Sequence, residues 1–227
     1  MKTKVLLVED EESIRKFVKI NLEREGYIIF EAGSGEEGID IARSEKPDIV
    51  VLDIMLPGID GFEVCKALRG EFPSLGIIML TAKAEDYDKI MGLQYGTDDY
   101  LTKPFNPTEL TLRIKSIERR LEPEEEKEGN LIIDPPFKID SYSRKFYKDN
   151  EELELTPTEY QIIKIFMTNP GKAMTRDEIL KLVWGDEFLG DSKIVDVNIR
   201  RLRSKIEGNA AKPDYIETVW GTGYRWK

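Results

Sequence analysis

The chain has 227 residues, enough for two compact domains, and its 40% apolar and 34% charged composition belongs to a folded globular protein rather than a disordered one. It holds no histidine and one cysteine, Cys65, which excludes Ser-His-Asp triads, histidine-ligated or structural zinc, an internal disulfide framework and any phosphohistidine on this chain. The net charge of −10 is unevenly spread: residues 1–121 carry 17 basic and 23 acidic side chains, residues 122–130 carry 1 and 5, and residues 131–227 carry 16 of each.

Over residues 1–121, five short apolar runs alternate with helical patterns. The runs are Val5–Val8, Ile28–Glu31, Ile49–Leu52, Ile77–Leu80 and Tyr100–Leu101. They lack polar alternation, which predicts strands covered on both faces, and their spacing predicts successive βα units on a parallel sheet. Helices are expected over Glu12–Glu25, Gly35–Ser44, Phe62–Arg69, Glu85–Tyr95 and Thr108–Leu121, the last with Leu110, Ile114, Ile117 and Leu121 on one face. Residues 122–130, rich in glutamate with a proline and a glycine, read as a linker.

Beyond the linker, Leu131–Ile133, Phe137–Ile139, Lys145–Lys148 and Glu152–Leu155 predict short antiparallel strands, with a turn at Asp149-Asn150. A helix is expected from Thr156 to Met167. A second starts at the capping-box pattern Thr175-Arg176-Asp177-Glu178, and a third runs from about Ser192 to Glu207. Tyr215–Val219 and Tyr224–Trp226 flank Gly221-Thr222-Gly223 and predict a hairpin. The apolar runs are too short to cross a bilayer and the amino end lacks a signal-peptide pattern, so no membrane contact and a cytoplasmic location are expected.

In an open α/β sheet, ligands collect at the carboxyl ends of the strands. Glu9 and Asp10 follow the first strand, Asp53 the third, Thr81 the fourth, and Lys103 lies just past the fifth. Clustered carboxylates repel one another and call for a cation; with so few nitrogen and sulfur ligands the expected ion is a hard one such as Mg²⁺. Metal and lysine together can neutralise a phosphoryl group while Asp53 attacks it. Taken singly, an aspartate after a strand is most often a cap or turn former, a threonine there an N-cap, and a lysine a solvated side chain. Their joint occurrence at four strand ends outweighs those separate readings.

These residues resemble the receiver domain of bacterial response regulators. The carrying stretches are Val5-Leu6-Leu7-Val8-Glu9-Asp10, Asp48-Ile49-Val50-Val51-Leu52-Asp53-Ile54-Met55-Leu56-Pro57, Met79-Leu80-Thr81-Ala82 and Tyr100-Leu101-Thr102-Lys103-Pro104-Phe105. The resemblance implies a flavodoxin-like doubly wound sheet and Asp53 as phosphoacceptor. It implies Mg²⁺ held by Asp10, Asp53 and the Met55 carbonyl, with Glu9 in support. Thr81 and Lys103 become phosphate ligands, Tyr100 the aromatic that turns inward with Thr81, and the Lys103-Pro104 bond is expected to be cis. The phosphoryl donor must lie on another molecule, a sensor histidine kinase or a small acyl phosphate, and the Glu12–Glu25 helix is the expected kinase-docking face.

The third helix of the second domain has an apolar stripe of Val195, Ile199, Leu202 and Ile206, with Lys193, Val197, Arg200, Arg201 and Ser204 opposite and Arg203 beside them. An arginine-rich helix front suits a DNA major groove, although an arginine run also serves an ordinary solvated face. Leu155-Thr156-Pro157-Thr158-Glu159-Tyr160, Val195–Arg203 and Gly221-Thr222-Gly223-Tyr224-Arg225 resemble the α+β winged helix-turn-helix domain of OmpR/PhoB-type regulators. That resemblance implies base contacts from Arg201 and Val197. It implies phosphate or wing contacts from Trp184, Lys193, Asn198, Arg200, Arg203, Thr222, Tyr224 and Arg225. It further implies a homodimer on phosphorylation through charges similar to Lys89, Asp98, Asp99, Glu109, Arg113 and Lys115, although such charges in isolation form only a solvated face. Promoter DNA is the implied partner, with RNA polymerase a further candidate.

Two other readings start from the same pocket. An aspartate-nucleophile phosphohydrolase generally needs a second aspartate two residues past the first, but Met55 stands there and cannot transfer a proton, so a turnover enzyme is disfavoured. A DNA-binding regulator whose receiver serves only as scaffold is disfavoured by the intact pocket.

Overall fold

The structure is a computed structural model that describes residues 2–82, 95–122, 130–186, 188 and 190–227. Apart from Tyr95, the helix expected over Glu85–Tyr95, with Lys89, lies outside the described residues, as do residues 123–129 of the expected linker. The chain divides into two compact units, Met1–Glu118 and Arg119–Lys227.

The first unit is built on β1 (Lys4–Val8), β2 (Ile28–Ala32), β3 (Ile49–Asp53), β4 (Gly76–Thr81) and β5 (Asp99–Thr102), in the order β2-β1-β3-β4-β5. All four neighbouring pairs are parallel. The uninterrupted apolar runs Val5–Val8, Ile49–Leu52 and Ile77–Leu80 are fully buried, as strands covered on both faces must be. The cover comes from α1 (Glu12–Arg24), α2 (Gly35–Glu45), α3 (Gly61–Glu71) and α4 (Pro107–Leu121). In α4 the expected stripe is realised by Leu110, Ile114 and Ile117, each worth about 1.5–3 kcal/mol of burial, while Leu121 is half-buried at the helix end. Ser34 and Asp60 cap α2 and α3 by accepting from backbone N–H groups of the first turn, whereas α1 starts after Glu11 without a side-chain cap.

The second unit opens with an antiparallel meander, β6 (Leu131–Asp134), β7 (Phe137–Asp140), β8 (Lys145–Lys148) and β9 (Glu151–Leu153). Asp149 and Asn150 both adopt positive φ, 52° and 66°, which turns β8 into β9 as the sequence suggests. Three helices follow: α5 (Pro157–Met167), α6 (Arg176–Trp184) and α7 (Lys193–Ile206). Capping boxes start α5 at Thr156 and Glu159 and α6 at Thr175 and Glu178. The terminal hairpin, β11 (Ile216–Val219) and β12 (Gly223–Trp226), gains an unexpected third strand, β10 (Ala173–Thr175), which pairs with β12. That pairing needs a glycine at 223, because a Cβ there would lie 2.2 Å from the Met174 carbonyl oxygen. Among the described residues no helix is long and apolar enough to cross a membrane.

Candidate functional site

The sheet brings the predicted pocket together at its carboxyl edge. Asp53 and Thr81 are the last residues of β3 and β4, Glu9 and Asp10 follow β1 directly, and Lys103 follows β5. Carboxylate oxygens of Glu9, Asp10 and Asp53 lie within 4.8 Å of one another; Glu9 and Asp53 are buried, while Asp10 is exposed. The Lys103 ammonium bridges two of them, donating to Glu9 Oε2 at 2.6 Å and to Asp53 Oδ2 at 2.7 Å. Asp53 Oδ1 accepts from the Met55 N–H at 3.3 Å. A cleft of about 300 Å³ opens over the cluster, also lined by Glu11, Met55 and Ala82. The Lys103-Pro104 bond that carries the lysine away from β5 is cis, as expected.

The electrostatics of the cleft are unbalanced. Burial pushes the Glu9 carboxyl up and the charge of Asp53 adds to this, against the lowering effect of the Lys103 hydrogen bond. Burial pulls the Lys103 ammonium down, but its hydrogen bonds to Asp53 and Glu9 outweigh that and leave it raised. Two buried carboxylates thus share one ammonium with the Asp10 carboxylate close by, and Glu9 Oε1 is buried with no hydrogen-bond partner. An orphaned buried oxygen in an all-carboxylate donor set fits a hard divalent cation. Tight packing holds the end of β3 in place: Gly61, at the start of α3, lies so close that an added Cβ would be 2.2 Å from the Asp53 carbonyl oxygen.

In the second unit, α7 buries the expected stripe of Val195, Ile199, Leu202 and Ile206. Its solvent side presents Lys193, Arg200 and Ser204, with Val197 and Arg203 half-buried beside them. The hairpin is locked to this helix. Arg203 donates to the Ile216 carbonyl through Nε at 3.0 Å and Nη2 at 2.7 Å, and also to Thr218 Oγ1 at 2.8 Å. The Tyr224 hydroxyl donates to Asp196 Oδ1 at 2.7 Å, and Arg176 Nε donates to the same oxygen at 2.7 Å. Burial, then the Asp196 hydrogen bond, pushes the Tyr224 phenol up to about 12. At the hairpin tip Trp220 is 91% exposed beside the exposed Thr222, whose N–H closes the turn onto the Val219 carbonyl.

Residues 5–115 match the response regulator receiver domain family, and residues 150–226 match the C-terminal domain family of transcriptional regulatory proteins. The chain is 45% identical over 233 residues to PhoP of Bacillus subtilis (strain 168), an alkaline phosphatase synthesis transcriptional regulatory protein, covering 99% of this chain and 97% of that one. The chain belongs to the OmpR/PhoB-type response regulators. It is also 42% identical over 224 residues to the transcriptional regulatory protein AfsQ1 of Streptomyces coelicolor, across 97% of this chain and 96% of that one. Among solved structures it is similar to DrrB, an OmpR/PhoB homologue from Thermotoga maritima, with 32% identity, full coverage of both chains and a TM-score of 0.52. A mutant of RitR is 25% identical with a TM-score of 0.78 over 99% of each chain.

As a response regulator, then, the chain has its pocket residues together, but several DNA and dimer positions have settings other than those expected. Asn198 and Arg201, at 5% exposure, are both buried: at 100° per residue Asn198 falls nearer the apolar stripe, whereas Arg201 falls nearer the open face and is buried there all the same; Asn198 Nδ2 donates back to the Ile194 carbonyl at 2.8 Å. Trp184 is buried against Phe188, with ring centroids 5.8 Å apart. Arg203 donates to the hairpin, the Tyr224 hydroxyl donates back to Asp196 on α7, and Arg225 pairs with Glu217 through Nη2 at 2.5 Å. Of the dimer set, Asp98 is wholly buried, accepting from Arg69 Nη2 at 2.9 Å and the Ile77 N–H at 3.0 Å. Arg113 is buried too, paired within its own chain to Asp99 at 2.8 Å and Glu109 at 2.7 Å, while Lys115 pairs with Glu25 at 2.9 Å. Tyr100 is buried, its ring 5.9 Å from the Arg113 guanidinium carbon. Trp220 was absent from the expected contacts; a large apolar side chain at a hairpin tip, with glycine next to it, is the signal that marks it.

Proposed function

We propose that Asp53 receives a phosphoryl group from the phosphohistidine of a sensor kinase, and that this drives the chain into a dimer that binds promoter DNA. The observation that carries the reading is the Lys103 ammonium bridging Glu9 and Asp53 in an open cleft. In the transfer, an Asp53 carboxylate oxygen bonds to phosphorus as the bond to the donor imidazole nitrogen breaks, and the electron pair leaves with the imidazole. Lys103 neutralises a phosphoryl oxygen, and the Thr81 hydroxyl at the end of β4 donates to another. Mg²⁺ held by Asp10, Asp53 and the Met55 carbonyl, with Glu9 in support, supplies the remaining charge neutralisation when bound. The receiver promotes this transfer and its hydrolysis on itself, without turning over a separate substrate. The exposed Phe17 and Ile20 of α1 support that helix as the kinase-docking face.

Phosphorylation draws in Thr81 and Tyr100, and because Tyr100 borders Asp99 and Arg113 the change reaches the charges of β5 and α4. In the dimer, Asp99, Glu109, Arg113 and Lys115 exchange their partners within the chain for partners across the interface. On DNA, Lys193, Val197, Arg200 and Ser204 face the major groove and the Trp220–Thr222 tip meets the backbone beside it. Arg201 joins them only if DNA draws it out of its buried setting. Residues 1–121 act as the receiver, 122–130 as linker and 131–227 as the DNA-binding domain, in the cytoplasm, with RNA polymerase recruited at the promoter. Beryllofluoride with Mg²⁺ tests the coupling: the full chain is expected to sediment as a dimer and bind promoter DNA at least ten-fold more tightly. An unchanged monomer with unchanged affinity refutes it.

A further inference from the structure

We propose that Arg15 is a positioning residue for the carboxylate site, acting through backbone carbonyls rather than through any ligand. Two of the three clustered carboxylates, Glu9 and Asp10, stand on the turn between β1 and α1. Helix α1 lacks a side-chain cap at Glu11, so the usual device for fixing the entry to a helix is missing here. Arg15, one turn into α1, supplies another. Its Nη1 donates to the Glu9 carbonyl at 2.5 Å and to the Asp10 carbonyl at 3.2 Å, the carbonyls of the two residues whose side chains enter the cleft.

The guanidinium is itself held. Its side chain is only 19% exposed, and Nε lies 3.9 Å from Glu31 Oε1 on β2. A guanidinium beside Glu31 at Nε, with its Nη1 shared between two successive carbonyls, sets the orientation of both peptide groups. That orientation sets where the Glu9 and Asp10 side chains leave the backbone. Because Asp10 is exposed and its carboxylate accepts no hydrogen bond found among the described residues, nothing else there aims it at Asp53. Supports of this kind around a metal site typically change metal affinity 10–100-fold when removed.

The sign of the effect separates positioning from charge. Arg15 is a cation beside an acidic cleft, so losing its charge alone strengthens the attraction for a divalent ion. Losing the orientation of the turn weakens it. A role confined to folding lowers the melting temperature and leaves the affinity of the folded protein unchanged.

The inference rests on the proposed cation site, and the experiment separates the two. Mn²⁺ is titrated into the full-length wild type and the Arg15→Ala, Arg15→Lys and Asp10→Ala variants, with free Mn²⁺ read by electron paramagnetic resonance and folding checked by circular dichroism. Wild type is expected to bind one ion and Asp10→Ala to lose it. Arg15→Ala is expected to bind about 10-fold more weakly while folded, and Arg15→Lys, which keeps the charge and one donor, to recover part of the loss. Equal or tighter binding by Arg15→Ala overturns the positioning role while leaving the site intact. Should Arg15→Ala fail to fold, Arg15→Met, which keeps an unbranched stem and removes every donor, takes its place, and binding as tight as wild type or tighter in that variant overturns the role. Absence of Mn²⁺ binding by wild type overturns the site reading and this inference with it.

Discussion

At the scale of the residue, the cleft gathers carboxylates at a cost that a bound cation would relieve. Glu9 is buried beside Asp53, and its folded-state pKa lies above that of the unfolded chain. A carboxyl shifted in that direction adds stability on the acid side and withdraws it as pH rises through the raised value. Glu9→Gln removes the charge and keeps an acceptor for Lys103. The metal-free variant is therefore expected to melt higher than wild type at neutral pH, the gap closing as pH falls through the raised Glu9 value and wild type regains its proton. The same variant is expected to bind Mg²⁺ more weakly. Paired melts on the acid side and at neutral pH, with chelator present, give the check. The pocket itself was legible, because strand ends in an α/β pattern converge on one edge whatever the details of packing. Arg15 was not, since its contacts are to carbonyls and the sequence carries no sign of where a long side chain turns. Nor was the setting of Arg203 and Tyr224: periodicity says which side of an element a residue is on, not that Arg203 of α7 donates to the hairpin and Tyr224 of the hairpin donates to Asp196 on α7.

At the scale of the element, close approach of backbone to backbone fixes the geometry. A Cβ at position 61 would lie 2.2 Å from the Asp53 carbonyl oxygen and 2.8 Å from the Ile54 Cα, neither of which can move without shifting the end of β3. Gly61→Ala is expected to cost about 1–3 kcal/mol of receiver stability, by urea denaturation, and to slow labelling by acetyl phosphate in the fraction that remains folded. A variant as stable and as readily labelled as wild type means that α3 can move away from β3 freely. Most elements were legible from apolar runs and capping boxes, since burial on both faces and N-terminal capping each leave a local pattern. β10 was not: three residues, Ala173–Thr175, are too few to show alternation, and the strand exists because Gly223 lets β12 come close. The burial of Asp98 was equally hidden, because its partner Arg69 is 29 residues away on another element.

At the scale of the whole molecule, a chain of net charge −10 that binds DNA must concentrate its cations on one face. Lys193 and Arg200 on the open side of α7 are the exposed ones, and Lys193→Ala is expected to lower the slope of log affinity against log salt by about 1 per protomer while leaving sequence preference unchanged. Arg200→Ala is expected to weaken binding to the specific site by about 1–3 kcal/mol. Titrations at several salt concentrations separate the two effects, and an unchanged slope in Lys193→Ala removes it from the phosphate contacts. The most direct test of the switch lies at its acceptor. The full chain is incubated with radiolabelled acetyl phosphate and Mg²⁺, then assayed for acid-labile label in wild type and in Asp53→Ala. One phosphoryl group per wild-type chain and none in the variant is the predicted result; label that persists in Asp53→Ala, or a wild type that never takes it up, contradicts the account.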